Sequence, residues 1–258
     1  LDPRGFDPVI TLKTADEVHH MREAGRIVAK VIRVLGESVV PGKTTLLDLD
    51  RLGHDTILAE GGTPSFLGYR GYPNAICLSI NEMVVHGIPD GRVVQEGDIL
   101  DVDVGVCIKG YHADACYTFP IGAISPAAQR LLNVTRESLN QGLAKAKPGN
   151  RVGDISAAIQ KYVESHRYGI VRELVGHGIG REIHEEPSVP NYGKAGTGPK
   201  LKPGMTFCVE PMVNEGTHKV RELADGWTVV TADGKLSAHY EHTILITETG
   251  YDILTRED

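Results

Sequence analysis

The chain has 258 residues, of which 41% are hydrophobic, and a formal charge of −7. That is enough apolar material for a sizeable core, and the acidic balance without any Lys/Arg block gives no electrostatic footprint for nucleic acid. No apolar run approaches the roughly 20 residues that span a bilayer, and the opening LDPRGFDPVI lacks the basic start and apolar centre of a signal peptide, so a cytoplasmic protein is expected. Cys77, Cys107, Cys116 and Cys208 form no CxxC pair, which argues for buried reduced thiols rather than a structural zinc or a disulfide framework.

Thr14 and Glu17 have the spacing of a capping box, and Val18, Met21, Gly25, Val28, Ile32 and Leu35 then recur at three-and-four spacing, which predicts a first amphipathic helix. A second follows PGK at Pro41 to Lys43 and ends at Gly61-Gly62. The region Ile76 to Phe119 is rich in short β-type runs with turn residues between them. Ser125-Pro126 supplies a cap and a proline at the first helical position for a third helix, and a fourth covers about Val152 to His166. Past Gly169 the chain returns to short strands, in MTFCVEPMV, WTVVT and HYEHTILIT. Pro41 to Gly62 and Pro148 to Gly169 are of equal length, open with Pro-Gly and close at glycine. Their shared order of elements suggests an internal duplication and an α+β fold of two antiparallel-sheet halves with helices outside.

Acids recur in the β-like segments. DILDVDVG (Asp98 to Gly105) and YHADACYT (Tyr111 to Thr118) read as two strands joined by a turn near Lys109-Gly110. Asp101 and Asp103 share one face of the first, and His112 and Asp114 one face of the second. Glu210 and Glu241 sit inside apolar runs, where a carboxylate is costly unless paired or bound to metal. Four carboxylates brought together would repel, and a pair of divalent cations would neutralise them. An oxygen-rich set with one imidazole suits Mn, Fe, Co or Zn. Two such ions can share a water and promote amide hydrolysis. The imidazole comes from ELVGHGIGREIHEEP, in which His177 and His184 are seven apart among glycines. Spacing alone neither prefers Asp103 over Asp101 nor brings these segments together.

The strings NEMVVHGIPD, DVDVG, HADA, GHGIGREIHEEP, PGMTFCVEPMV, DGWTV and SAHYEHTILIT, in this order, are similar to the type I bacterial methionine aminopeptidases, from about Thr11 to Thr255. The resemblance implies the pita-bread fold, with residues 1–10 as an N-terminal extension, a catalytic domain over 11–255, and pseudo-twofold halves at about 11–122 and 123–255. It implies two divalent ions (Co, Mn, Fe, Zn or Ni) on Asp103, Asp114, His177, Glu210 and Glu241, with Asp114 and Glu241 bridging. It makes Glu210 the general base, places His86 beside the scissile amide nitrogen, and has His184 donate to the substrate carbonyl oxygen. An apolar methionine pocket would be formed by Tyr69, Tyr72, Cys77 and Trp227. Ile183 stands where relatives often have Phe, which would make one pocket wall smaller. The implied reaction is removal of the initiator methionine when the second residue is small. The implied partners are N-termini of nascent chains, with transient ribosome contact, no DNA, no membrane, and a monomeric state. A proline-directed peptidase of the same superfamily would be expected to carry a further N-terminal domain, and a catalytically dead binding module to have lost metal ligands; neither expectation suits this chain.

Overall fold

The computed structural model describes residues 9–257, so most of the expected extension 1–10 lies outside the described residues. Helix α1 spans Ala15–Ser38 and starts at the expected capping box. The Thr14 N–H donates to the Glu17 carboxylate at 2.8 Å, and the Glu17 N–H donates to the Thr14 hydroxyl at 3.4 Å. Helix α2 is Leu46–Ala59, α3 is Pro126–Leu143 behind the Ser125 cap, and α4 is Val152–Ser165. The two stretches that open with Pro-Gly each become a 14-residue helix. Each of these helices is preceded by an isolated antiparallel bridge, Thr45 with Val93 and Arg151 with Lys200.

All strand pairings are antiparallel, as the α+β expectation requires. The long hairpin of Ile99–Ile108 and Tyr111–Pro120 turns at Lys109-Gly110. Leu100, Val102, Val104 and Val106 on its one face pack with Ile27, Val28, Val31 and Leu35 of α1 into one core. A second core joins Leu131 and Leu139 of α3 and Ile155 and Ile159 of α4 to Phe207, Val209 and Ile244. Here a five-stranded sheet has Tyr251–Ile253, His242–Ile246, Thr206–Val209, Gly176–Gly178 and Glu185–Val189 as neighbours in that order.

Two apolar runs that read as continuous strands are broken. MTFCVEPMV yields Thr206–Val209 and then Met212–Asn214, and the two belong to different sheets. HYEHTILIT does the same in reverse. Ser237–His239 pairs with Met212–Asn214, and the chain re-enters the five-stranded sheet at His242. Glu210 and Glu241 therefore sit at sheet crossovers rather than within strands. At the first, Pro211 has no N–H to continue a ladder. At the second, the Glu241 N–H leaves its own sheet and donates to the Cys116 carbonyl of the hairpin at 3.0 Å.

Candidate metal centre and substrate pocket

In the hairpin register Asp103 lies opposite Cys116 and Gly105 opposite Asp114. Directly opposed residues share a face, as do alternate residues along each strand, so Asp101, Asp103 and Asp114 all emerge on the side away from α1. The five-stranded sheet is tied against that side. Thr243 accepts from the Asp114 N–H at 2.9 Å and donates to the Asp114 carbonyl at 2.7 Å. This tie, with the Glu241 to Cys116 bond, brings together segments that spacing could not place.

His177 lies in Gly176–Gly178, and its Nδ1 is 3.0 Å from the Gly178 carbonyl. An N–H at Nδ1 donating there leaves Nε2 as the free lone pair, the usual preparation of a metal-binding imidazole. That Nε2 is 3.5 Å from Oε1 of Glu210. A register shift between His177 and Gly178 bends the strand, and the loop before Glu185 then folds back, so that the His177 and His184 rings come within 4.1 Å, centroid to centroid. Gly176 and Gly178 allow this close packing, since a Cβ would fall 2.4 Å from the Cys208 carbonyl oxygen or 2.2 Å from that of Glu186. The His184 loop is held by the start of α1, where Lys13 donates to Glu185 at 2.6 Å and Arg181 to Glu17 at 3.0 Å.

Asp103, Asp114, His177, Glu210 and Glu241 all line one cavity of about 210 Å³. The four acids are buried, and one oxygen of each (Asp103 Oδ1, Asp114 Oδ1, Glu210 Oε1, Glu241 Oε1) is buried without a hydrogen-bond partner among the described residues. Burial pushes Asp103 up to about 7. Burial first, and then the neighbouring carboxylates, raise Asp114, Glu210 and Glu241 well above the ordinary range. Several orphaned oxygens of like charge around one space are what divalent cations satisfy, so the residues present fit such a centre. Cys208, expected as a buried reduced thiol, has its sulfur within 4.8 Å of ligand atoms of Asp114, His177 and Glu241. Burial and those acids push its thiol pKa up, so it stays protonated beside Thr243 at 3.4 Å.

The remaining wall carries the other expected residues. Tyr69, Tyr72, Cys77 and Trp227 all line the cavity, together with Phe66. Cys77 pairs directly with Asp103, Tyr72 donates to the Gly87 carbonyl at 2.9 Å, and Trp227 packs edge-on against Tyr72 at 5.1 Å. Ile183 is buried in the apolar cluster behind this wall and is not among the residues lining the cavity, so Phe66 rather than residue 183 shapes the surface there. His86 lines the cavity with a left-handed backbone, φ 58°, a conformation that costs energy and tends to be kept at functional sites. Burial, and then His239, hold His86 at about 4. His184 lies at the exposed mouth with Nδ1 2.9 Å from the Tyr69 hydroxyl. Desolvation of its inner edge, and then the rings of His177 and His86, lower its pKa, so it is a neutral imidazole. Missed altogether in the sequence was His239, two residues before Glu241 and also on the cavity wall. The i, i+2 spacing to Glu241 was the available signal.

Residues 19–248 match the family model described as metallopeptidase family M24. The chain is 52% identical over 248 residues to methionine aminopeptidase 1 of Bacillus subtilis, covering 96% of this chain and 100% of that protein. The crystal structure of methionine aminopeptidase from Thermotoga maritima superposes with a TM-score of 0.95 at 46% identity, covering 96% of this chain and all of that one. The prolidase of Pyrococcus horikoshii shares the fold alone, with a TM-score of 0.76 at 19% identity. The architecture is thus the pita-bread fold, and with four buried acids and a histidine around one cavity the chain belongs to metallopeptidase family M24 and, within it, to the methionine aminopeptidases.

Proposed function

We propose that this chain removes the initiator methionine from nascent proteins and peptides whose second residue is small. The observation that carries this reading is one cavity with two unlike walls, orphaned carboxylates on one side and Phe66, Tyr72, Cys77 and Trp227 on the other. The first suits hydrolysis, and the second suits a flexible thioether side chain, which packs well against aromatic rings. Asp103, Asp114, His177, Glu210 and Glu241 would hold two divalent cations. Bound there, the cations supply Lewis-acid activation of water and of the scissile carbonyl.

The protein groups divide the rest of the work. Glu210 takes a proton from the attacking water and returns it to the leaving amine. When the Tyr69 hydroxyl donates to Nδ1 of His184, the proton of that neutral ring sits on Nε2, ready to donate to the developing oxyanion. His86, also on the cavity wall, would lie beside the scissile amide nitrogen. On this reading the enzyme acts in the cytoplasm, on chains emerging from the ribosome. Among the described residues no helix is long and apolar enough to cross a membrane.

The test is hydrolysis of Met-X-Gly peptides with X varied from Ala to Leu, run against Xaa-Pro peptides, before and after chelation and metal return. Small X should be preferred, and chelation should abolish turnover. Faster cleavage of Xaa-Pro peptides, or turnover that survives chelation, overturns the reading.

A further inference from the structure

Two buried side chains, His239 on the cavity wall and Asp101 behind it, are unused by the reaction above. His239 closes the strand Ser237–His239, and Asp101 lies two residues before Asp103. Nδ1 of His239 is 3.4 Å from Oδ2 of Asp101, and Nε2 is 4.0 Å from Oε2 of Glu210. These are ion-pair distances, and among the described residues both ring nitrogens are left without a hydrogen-bond partner. The rest of the assembly is fixed. Thr118 accepts from the His239 N–H at 3.0 Å and donates to the His239 carbonyl at 2.7 Å, and the Cys116 thiol donates to Oδ1 of Asp101 at 2.6 Å.

The carboxylate of Glu210 is therefore flanked by two imidazoles, with Oε1 facing His177 and Oε2 facing His239. Once Nε2 of His177 is committed to a cation it has no proton to donate, which leaves His239 as the histidine able to hold Glu210 by a hydrogen bond. Catalytic hydrogen bonds are often long in a ligand-free site and tighten in the working complex, and the 4.0 Å separation needs to close by about 1 Å to become one. We propose that His239, braced by Asp101, is a positioning residue that fixes which oxygen of Glu210 faces the attacking water. The inference rests on the reading of Glu210 as ligand and base.

The chain Asp101–His239–Glu210 can be observed without turnover. In metal-free protein with ¹⁵N-labelled histidine, the His239 resonances are assigned by their loss in His239→Gln. Glu210→Gln should then shift Nε2 of His239, and Asp101→Asn should shift Nδ1. An unmoved Nε2 in Glu210→Gln overturns the proposal, whereas full peptide hydrolysis by Glu210→Gln would instead overturn the role of Glu210 as base. In the loaded enzyme His239→Ala should lower kcat by about tenfold with KM little changed, the size expected for one hydrogen bond to a charged group. His239→Gln, which keeps an N–H donor, should recover most of that loss. Equal kcat in the two variants overturns the proposal. So does loss of a bound cation equivalent in His239→Gln, which would make Asp101, Cys116 and His239 a cation site of their own. Should His239→Ala fail to fold, Asp101→Asn takes its place, with a several-fold lower kcat expected and an unchanged one overturning the proposal.

Discussion

The hydroxyl of Tyr69 lies 2.9 Å from Nδ1 of His184, and the two rings stack at 5.3 Å. Sequence reading placed Tyr69 only in the apolar pocket. The contact gives it a second task, choosing the tautomer of a histidine at the mouth of the site. Tyr69→Phe keeps the stacking and removes the choice. It should lower kcat by roughly three- to tenfold, the value of one neutral hydrogen bond, with little change in KM. Steady-state kinetics on a Met-Ala peptide measure this, and an unchanged kcat would remove Tyr69 from the catalytic account.

Glu210→Gln is nearly isosteric and cannot accept the proton of water. It should cost about 10² to 10⁴ in kcat, the usual range for a general base, while the thermal transition of the metal-free protein stays in place or rises, because the cost of burying that acid beside Asp103 is gone. Turnover near that of the parent would show that the proton goes elsewhere.

The acids make stability depend on pH in a definite direction. Their folded pKa values are raised, Asp103 to about 7 and Asp114, Glu210 and Glu241 further above their ordinary values. In the metal-free protein the folded state binds more protons than the unfolded chain, so stability falls as pH rises from the ordinary carboxylate range near 4 through 7. Divalent cations need these groups ionised and oppose the same repulsion. The gain in Tm from added Mn²⁺ or Co²⁺ should be larger at pH 7.5 than at pH 5, and metal uptake at pH 6.5 should release protons. A Tm gain independent of pH would contradict the assigned ligands.

Gly25 of α1 faces the C-terminal segment so closely that a Cβ would lie 2.1 Å from the Leu254 carbonyl oxygen. At Gly36 the obstacle is the Phe119 ring, a side chain, at 2.3 Å. Backbone yields less readily than a ring, so Gly25→Ala should destabilise by about 2 to 3 kcal/mol, at the upper end for an overpacked core, and Gly36→Ala by less. Urea unfolding of the two variants decides the order.

The helices were legible because their signals are local. Thr14 with Glu17, and Ser125 with Pro126, mark their own starts. Strand alternation also put Asp101 and Asp103 on one face correctly, but the choice between them is made by partners distant in sequence. Asp101 is taken up by Cys116 and His239, while Asp103 is left with an unpartnered oxygen. The meeting of His177 with His184 followed from the family resemblance but was illegible in the spacing, for a related reason. A separation of seven means opposite faces on a regular strand, and only a bulge followed by a loop lets the rings converge. Pro211 marks the break at Glu210, but at Glu241 the flanking Tyr240 and Thr243 are ordinary strand residues, and composition does not record a change of sheet.

Those two breaks have a consequence beyond the placing of the acids. A pleated strand assigns its side chains to alternate faces, which ties the direction of any one residue to the identities of all its neighbours. Where the chain passes from one sheet to another, that tie is cut. The apolar residues before and after each glutamate, Val209 and Val213 at the first and Tyr240 and Ile244 at the second, can then be exchanged to suit the core they share without turning the acid away from the cavity. Packing and chemistry can thus vary separately in a single stretch of nine residues.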